Sequence, residues 1–342
     1  MITRKVDRNE HLAGFIYNWV KKIGEQVEKL KVISWQQGDS SGLPPNIKVY
    51  ALKTKENKLI KIAKFKMLVW RNIKGVDGVF CHQMPIYTIL AAPFAKLYGK
   101  KIVSWYMHRQ VDLKMRLMEH LSDVILSASK ESFRLPSKRL VFTGHGIDTD
   151  LFKPLEAISQ NKIFGLISVG RISPTKDYES MIKAVDILVD QGIKDIKLTI
   201  IGEAGLAEQT TYFENLKQMV IKMNLQTNVE FLGPKPNMEI PAYLARSNVS
   251  INLSGTGSID KAVLEAMACG CLVLTSNEAF KEILPSELMV EKDNPKMLAE
   301  KIKWLMDLPP ERAKQFRQQL RQEVVQNHNL DNLVKKIIAQ FE

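Results

Sequence analysis

The stretch Gly257-Ser-Ile-Asp-Lys-Ala-Val-Leu-Glu-Ala-Met-Ala-Cys-Gly270 decides the fold. A loop of small residues runs into an apolar helix start, Glu265 follows a turn later, and Gly270 ends the helix. Strand-like runs flank it, Val249–Leu253 before and Leu272–Thr275 after, which makes a βαβ unit. The first amides of such a helix lack partners and sit at the positive end of its dipole, so they attract phosphate. A carboxylate one or two turns inside reaches a ribose diol beside that phosphate. The segment outlines a sugar-nucleotide site.

Working outward, 342 residues exceed one ordinary α/β core and suit two domains. No apolar run approaches the length needed to span a bilayer. Met1-Ile-Thr-Arg-Lys5 opens with no signal-peptide core, so a cytoplasmic location is expected. Cys81, Cys269 and Cys271 fit a reducing compartment; Cys269-Gly-Cys271 lacks the second pair that a zinc site needs and reads as buried thiols. Charge is lopsided: residues 1–150 hold about 26 Lys+Arg against 13 Asp+Glu, and the remainder is close to neutral. The basic half suits anionic lipid, a polyanionic acceptor or nucleic acid.

Apolar runs alternate with helical periodicity throughout, the pattern of parallel α/β sheets. In the first half, strands are expected at Met1–Val6, Lys31–Trp35, Lys48–Leu52, Gly78–Cys81, Lys101–Trp105, Val124–Ala128 and Leu140–Phe142. Helices are expected at Leu12–Leu30, Asn57–Ile73, Thr88–Tyr98 and Val111–Leu121. After Gly144-His-Gly-Ile-Asp148, with His145 read as an interdomain turn residue, Lys153 to about Asn161 reads as a linker. A second series follows, with strands Phe164–Val169, Lys197–Ile201, Val229–Leu232, Val249–Leu253, Leu272–Thr275 and a candidate at Leu288–Val290. Its helices are Tyr178–Gln191, Ala207–Met223, Met238–Ala245, Lys261–Ala268 and Pro295–Met306, with a charged helical stretch over Pro310–Phe341. The expected domains are 1–153, 154–325 and a C-terminal helix, 326–342, placed to cross back to the first domain.

Val169-Gly-Arg-Ile-Ser-Pro-Thr-Lys176 follows a strand and precedes a helix, which sets Arg171 and Lys176 at a strand's carboxyl end. A planar guanidinium and a mobile ammonium form a sensible pair for a diphosphate, against the bland alternative of a solvated loop. Ile201-Gly-Glu-Ala-Gly205 is another glycine turn after a strand, either bordering a nucleotide through Gly202 or simply structural.

Together, GR-x4-K, a strand ending IGE, then FLG, then LEAMACG resemble the family 4 (group 1) glycosyltransferases, over the C-terminal half closely and the N-terminal half loosely. The resemblance implies a GT-B fold: two Rossmann-like parallel-sheet domains facing each other across a cleft. It implies sugar transfer, with retention, from a nucleoside diphosphate sugar to a hydroxyl acceptor. It places Arg171 and Lys176 against the diphosphate and the leaving group's charge, and Glu265 on the ribose. Ser258, Ile259, Asp260 and Lys261 would meet the diphosphate or sugar, and Gly233, Pro234 and Lys235 would lie near the base. In the first domain, Ala13-Gly14-Phe15 stands where the family has a glycine-rich loop, with Gly14 near the diphosphate. His108, in Ser104-Trp-Tyr-Met-His108, matches a histidine near the reacting carbon, and His82 falls on the acceptor side or is structural. No cofactor and no metal is implied. The setting implied is cell-envelope glycan or glycolipid synthesis, with a glycan or lipid-linked acceptor and a hexosyltransferase-type activity.

Two features depart from the family: only one glycine of the usual pair stands in the opening loop, and a carboxylate is missing before the helix Lys261–Ala268. The family usually has two glutamates with seven residues between them, and eight places before Glu265 lies Gly257. The carboxylate that helps to read the donor sugar is missing, which leaves an inactive GT-B protein that binds a nucleotide sugar, or partners an active enzyme, as the alternative. A nicotinamide dehydrogenase would need G-x-G-x-x-G after the first strand, where Arg4-Lys-Val-Asp-Arg8 stands instead. Separately, Lys53–Lys74 is dense in lysine with a single acid, Glu56, interleaved with Leu59, Ile60, Phe65, Val69 and Trp70. It reads as a sheet-packing helix whose lysines face water or an anionic membrane, at the inner face of the plasma membrane. Nucleic acid is disfavoured because no binding module accompanies the charge.

Overall fold

Short β-branched runs form strands wherever both faces are covered, and here they build two wholly parallel sheets in a computed structural model. The structure describes every residue except 12–13, 156–162, 206 and 256, and only the backbone of 207. Ala13, the start of the expected helix at Leu12, and most of the expected linker therefore lie outside the described residues. The contacts divide the chain into one unit of Met1–Asp148 with Asn327–Glu342, and a second of Thr149–Gln326.

The first unit runs β1 (Ile2–Lys5), α1 (Phe15–Gly24), β2 (Leu30–Gln36), β3 (Ile47–Ala51), α2 (Lys58–Ile73), β4 (Gly78–His82), α3 (Pro85–Leu97), β5 (Lys101–Trp105), α4 (Leu113–Leu121), β6 (Val124–Ser127) and β7 (Leu140–Phe142). Its sheet order is β3-β2-β1-β4-β5-β6-β7. Right-handed crossovers put α1 on one face and α2, α3 and α4 on the other. Phe65 and Val69 of α2 pack with Tyr87 and Ala91 of α3 over Ile2, Val79 and Ile102 of the sheet. Strand order reverses between β1 and β4, so the loops leaving those two strands flank one crevice.

The second unit runs β8 (Phe164–Val169), α5 (Tyr178–Asp190), β9 (Ile196–Ile201), α6 (Ala207–Lys222), β10 (Val229–Gly233), α7 (Ile240–Ala245), β11 (Val249–Asn252), α8 (Lys261–Ala268), β12 (Leu272–Thr275), α9 (Pro295–Met306) and α10 (Pro310–Asn327). Its order is β10-β9-β8-β11-β12, so the reversal falls between β8 and β11. Val249 of β11 sits opposite Leu166 of β8 in parallel register.

Three expectations need correction. The helix expected over Leu12–Leu30 stops at Gly24, and Leu30 already belongs to β2. A Cβ on Gly24 would lie 2.3 Å from the Ile47 side chain, and Asn46 Nδ2 donates to the carbonyls of Gly24 at 2.7 Å and Val27 at 2.9 Å. That amide satisfies the helix end and turns the chain. Leu288–Val290 is no strand: Ser286–Leu288 form a 3-10 turn, and Met289 makes only an isolated bridge to Thr275. Finally, Pro310–Phe341 is broken. After α10, Asn329 caps a new helix, α11 (Leu330–Ile338), accepting from the amides of Asp331 at 2.7 Å and Asn332 at 3.1 Å.

The break is fixed by Ile147, which donates to His328 O and accepts from Leu330 N, each at 2.8 Å. Residues 327–342 thereby join the first unit, where α11 packs on α1 and Asp331 pairs with Lys22. His145 lies inside this unit, its amide donating to His328 Nδ1 at 2.9 Å.

Candidate functional site

The loops after β8 and β11 meet at the strand reversal of the second sheet, where α/β folds bind ligands. Asp260 caps α8: Oδ1 accepts from Ala262 N at 3.2 Å and Oδ2 from Asn252 Nδ2 at 3.0 Å. The same Oδ2 forms an ion pair with Lys176 Nζ, which ties the loop after β8 to the start of α8. Burial pushes the Asp260 carboxyl up, but the Lys176 ammonium and the donated bonds outweigh it and hold the group below the usual carboxylate range. Lys176 is ordered by a single 3-10 turn, Pro174–Lys176, after which Asp177 takes a left-handed conformation and caps α5.

Glu265 is buried on α8, where Oε1 accepts from Asn237 Nδ2 at 3.1 Å and from Lys261 Nζ one turn back. Oε2 has no partner among the described residues, which leaves an acceptor edge suited to a vicinal diol. Ser258 O accepts from Asn277 Nδ2 at 2.7 Å, and Ile259 is buried, so the approach to α8 is held from both sides. Gly257 has φ of +65°, a left-handed backbone that glycine adopts without strain. Arg171 is exposed and makes no ion pair among the described residues.

The strand-end glycines form a chain of their own. Gly170 N–H donates to Ile201 O at 2.9 Å, and Gly202 N–H to Gly233 O at 3.1 Å. A Cβ on Gly202 would stand 1.9 Å from Gly170 O, so close backbone approach gives this glycine a steric reason. Tyr178 OH donates to Gly170 O at 3.2 Å, and burial raises its phenol well above the ordinary value. Beyond β10, Pro234 is exposed and Lys235 Nζ stands 6.0 Å from the Tyr243 ring centre. The second unit thus sets two ion pairs, Lys176–Asp260 and Lys261–Glu265, at consecutive residues of the start of α8, with Ser258 and Ile259 on the loop before it.

In the first unit, Gly14 precedes α1 with an ordinary helical φ of −57°. His82 ends β4 across the reversal from β1; its Nδ1 is 3.1 Å from Thr3 Oγ1, and its ring packs 4.8 Å from Trp19. Burial pushes its imidazole down to about 3. His82 is therefore a neutral, enclosed group, a setting that matches the structural alternative for it. His108 is exposed beyond β5, and Nδ1 accepts from Gln110 N at 3.1 Å, so Nε2 is its remaining polar atom. Cys269 and Cys271 are buried free thiols, the latter pushed up to about 12 by burial. No group of three metal-ligating side chains occurs among the described residues, and among them no helix is long and apolar enough to cross a membrane.

Sequence reasoning missed Asn237, Asn252 and Asn277, which hold Glu265, Asp260 and the Ser258 carbonyl. Asn252 at a strand's last residue was a visible signal. Asn237 offered none, since its partner lies 28 residues away.

Two Rossmann-like parallel sheets, each with its strand order reversing beside its first strand, define a GT-B fold. Residues 149–323, just over half of the chain, match the family model described as glycosyl transferases group 1, and the chain belongs to that family. It is similar to a component of the phosphatidylinositol N-acetylglucosaminyltransferase of Arabidopsis thaliana, 24% identical over 147 residues, covering 43% of this chain and 31% of that one. It is also similar to D-inositol 3-phosphate glycosyltransferase of Corynebacterium glutamicum, 26% identical over 143 residues, covering 41% and 34%. The chain thus spans about a third of the length of these curated relatives. Among solved structures, Anabaena Alr3699/HepE in complex with UDP and glucose has a TM-score of 0.78 at 14% identity, covering 99% of this chain and 98% of that one. Sucrose-phosphate synthase from Thermosynechococcus elongatus has the same TM-score, identity and coverage. These two likenesses bear on fold alone.

Proposed function

We propose that this protein transfers a hexose, with retention, from a nucleoside diphosphate sugar to a hydroxyl acceptor on an envelope glycan or lipid-linked glycan. The observation that carries the reading is the cluster Lys176–Asp260 beside Lys261–Glu265 at the second sheet's strand reversal. In this reading, the first amides of α8 and Lys176 receive the diphosphate, and Arg171, which has no ion pair among the described residues, adds the second positive charge. Glu265 accepts from the ribose hydroxyls. As the glycosidic bond breaks, negative charge grows on the departing diphosphate, and preorganised cations lower that barrier without a metal. Alr3699/HepE, of like fold, was solved with UDP and glucose, which makes a uridine donor the first to try.

Gly14 is read as the first unit's approach to the diphosphate. His108 is read as its group nearest the reacting carbon, with Nε2 the atom that would face it. His82 supports that unit from inside. The cell-side reading is a cytoplasmic enzyme in peripheral contact with membrane through Lys53–Lys74.

The test is transfer by purified Lys176→Ala. The expected result is a fall in turnover of at least a hundredfold with the fold retained; wild-type turnover would remove Lys176 from the chemistry. A second reading, a donor-binding protein without activity, has Gly257 in place of the usual glutamate as its support. Tight donor binding with neither transfer nor donor hydrolysis across a panel of sugars would favour it.

A further inference from the structure

The outer surface of the first unit combines exposed apolar side chains with unopposed cations on three neighbouring helices. On α2 the core stripe is Lys61, Phe65, Val69 and Ile73, spaced four apart. A helix that only packed on its sheet would be polar on the far side. Here the far side carries Leu59, 77% exposed, and Ile60, Met67 and Trp70, with Trp70 53% exposed. At 100° per residue, Met67 and Trp70 fall opposite Phe65, with Lys66 and Arg71 on either flank of that stripe.

The pattern continues along the layer. Leu97 of α3 and Leu113 of α4 are each 72% exposed, and Leu117 follows Leu113 by one turn. Helix α3 packs against both α2 and α4, so these side chains belong to one face of the unit. Across the three helices the only carboxylate is Glu119, and it is engaged by Arg139 and Ser137. Lys66, Arg71, Lys96, Lys114 and Arg116 make no ion pair among the described residues. Large apolar groups ringed by cations suit the boundary between headgroups and acyl chains of an anionic bilayer: the cations meet lipid phosphate while Leu59, Met67 and Trp70 leave water. A nucleic acid would use the charge but would gain little from exposed leucines, and a partner helix would not call for so one-sided a charge.

We infer that the α2–α3–α4 face docks this protein onto anionic membrane, with Trp70 and Leu59 entering the interfacial region and Lys66, Arg71 and Lys96 on the headgroups. The inference extends the partner reading given for Lys53–Lys74. Its test measures vesicle binding without donor or acceptor, so it can fail while the transfer reading stands, and the reverse.

The full chain is sedimented with vesicles of phosphatidylcholine alone or mixed with phosphatidylglycerol. Binding is expected only to the mixed vesicles, weakening steeply with added sodium chloride. Leu59→Ser/Trp70→Ser, which keeps every cation, and Lys66→Gln/Arg71→Gln, which keeps every apolar group, are each expected to weaken binding at least tenfold. These residues are exposed, and circular dichroism and melting should match wild type. A blue shift in tryptophan emission on vesicle addition is expected for wild type and should vanish in Trp70→Phe. Absence of binding to the mixed vesicles overturns the inference, as does binding that both double variants retain. Tighter capture by a single-stranded oligonucleotide overturns it in favour of nucleic acid, and concentration-dependent dimerisation abolished by Leu59→Ser/Trp70→Ser overturns it in favour of a second copy.

Discussion

Lys176 and Asp260, 84 residues apart in sequence, form an ion pair that joins the loop after β8 to the first turn of α8. In the free protein the ammonium proposed to meet a diphosphate is already engaged by a carboxylate. Asp260→Asn keeps a competent helix cap, because asparagine caps as well as aspartate. It should change stability by no more than about 1–2 kcal/mol and tighten binding of a nucleoside diphosphate about tenfold, as Lys176 is freed. Calorimetric titration decides this; weaker binding would assign Asp260 to direct donor contact instead.

Glu265 presents one oxygen to Asn237 and Lys261 and keeps the other. If that second oxygen reads the ribose, Glu265→Gln loses a charge-assisted bond of about 1.5–3 kcal/mol. Donor KM should rise about ten- to a hundredfold with kcat much less affected. Loss confined to kcat would place Glu265 at the reacting centre.

Gly202 has no room for a methyl group beside Gly170 O. Gly202→Ala must push β8 and β9 apart at their carboxyl ends, at roughly 2–3 kcal/mol or more. A lowered melting temperature with weakened nucleotide binding is expected, and an unchanged melting curve would contradict the packing described.

Two histidines of the first unit are buried and kept neutral: His82 is pushed down to about 3 by burial, and His328 to about 4 by burial with Lys336 adding to it. The sign follows from their ordinary value of 6.5: below it the unfolded chain binds protons that the fold refuses. Stability of this unit should therefore fall as pH drops from about 6.5 towards 4, by up to about 1.4 kcal/mol per pH unit for each histidine. Trp19, Trp35, Trp70 and Trp105 lie in this unit and Trp304 in the other, so urea titrations of Trp304→Phe followed by tryptophan emission report on it. His82→Gln should flatten the slope; parallel curves would acquit the histidine.

The order of strands and helices was legible where periodicity and caps agreed. Lys261–Ala268 matches α8 residue for residue because Asp260 starts it and Gly270 follows its end. The run past Gly24 misled because residues 25–30 keep helical composition, and the stop depends on Asn46 on a different segment. The break at His328-Asn329 depends likewise on Ile147, far away in sequence. At the site, residue types that carry charge were visible, and the asparagines that orient them were not. Their role exists only once β10, β11 and β12 belong to one sheet and their carboxyl ends share its edge with the start of α8.

The bridge between Ile147 and Asn329 makes the first unit discontinuous, with the whole of the second inserted before its last piece. On a ribosome this sets an order of events. Residues 149–326 can complete their own sheet while α1 still lacks α11. Trp19, whose indole donates to Gly146 O, waits with its helix for a segment, α11 (Leu330–Ile338), made more than 300 residues later, an interval of about fifteen seconds or more at ordinary elongation rates. Of the two units, the one whose synthesis starts earlier is thus the one that finishes folding last.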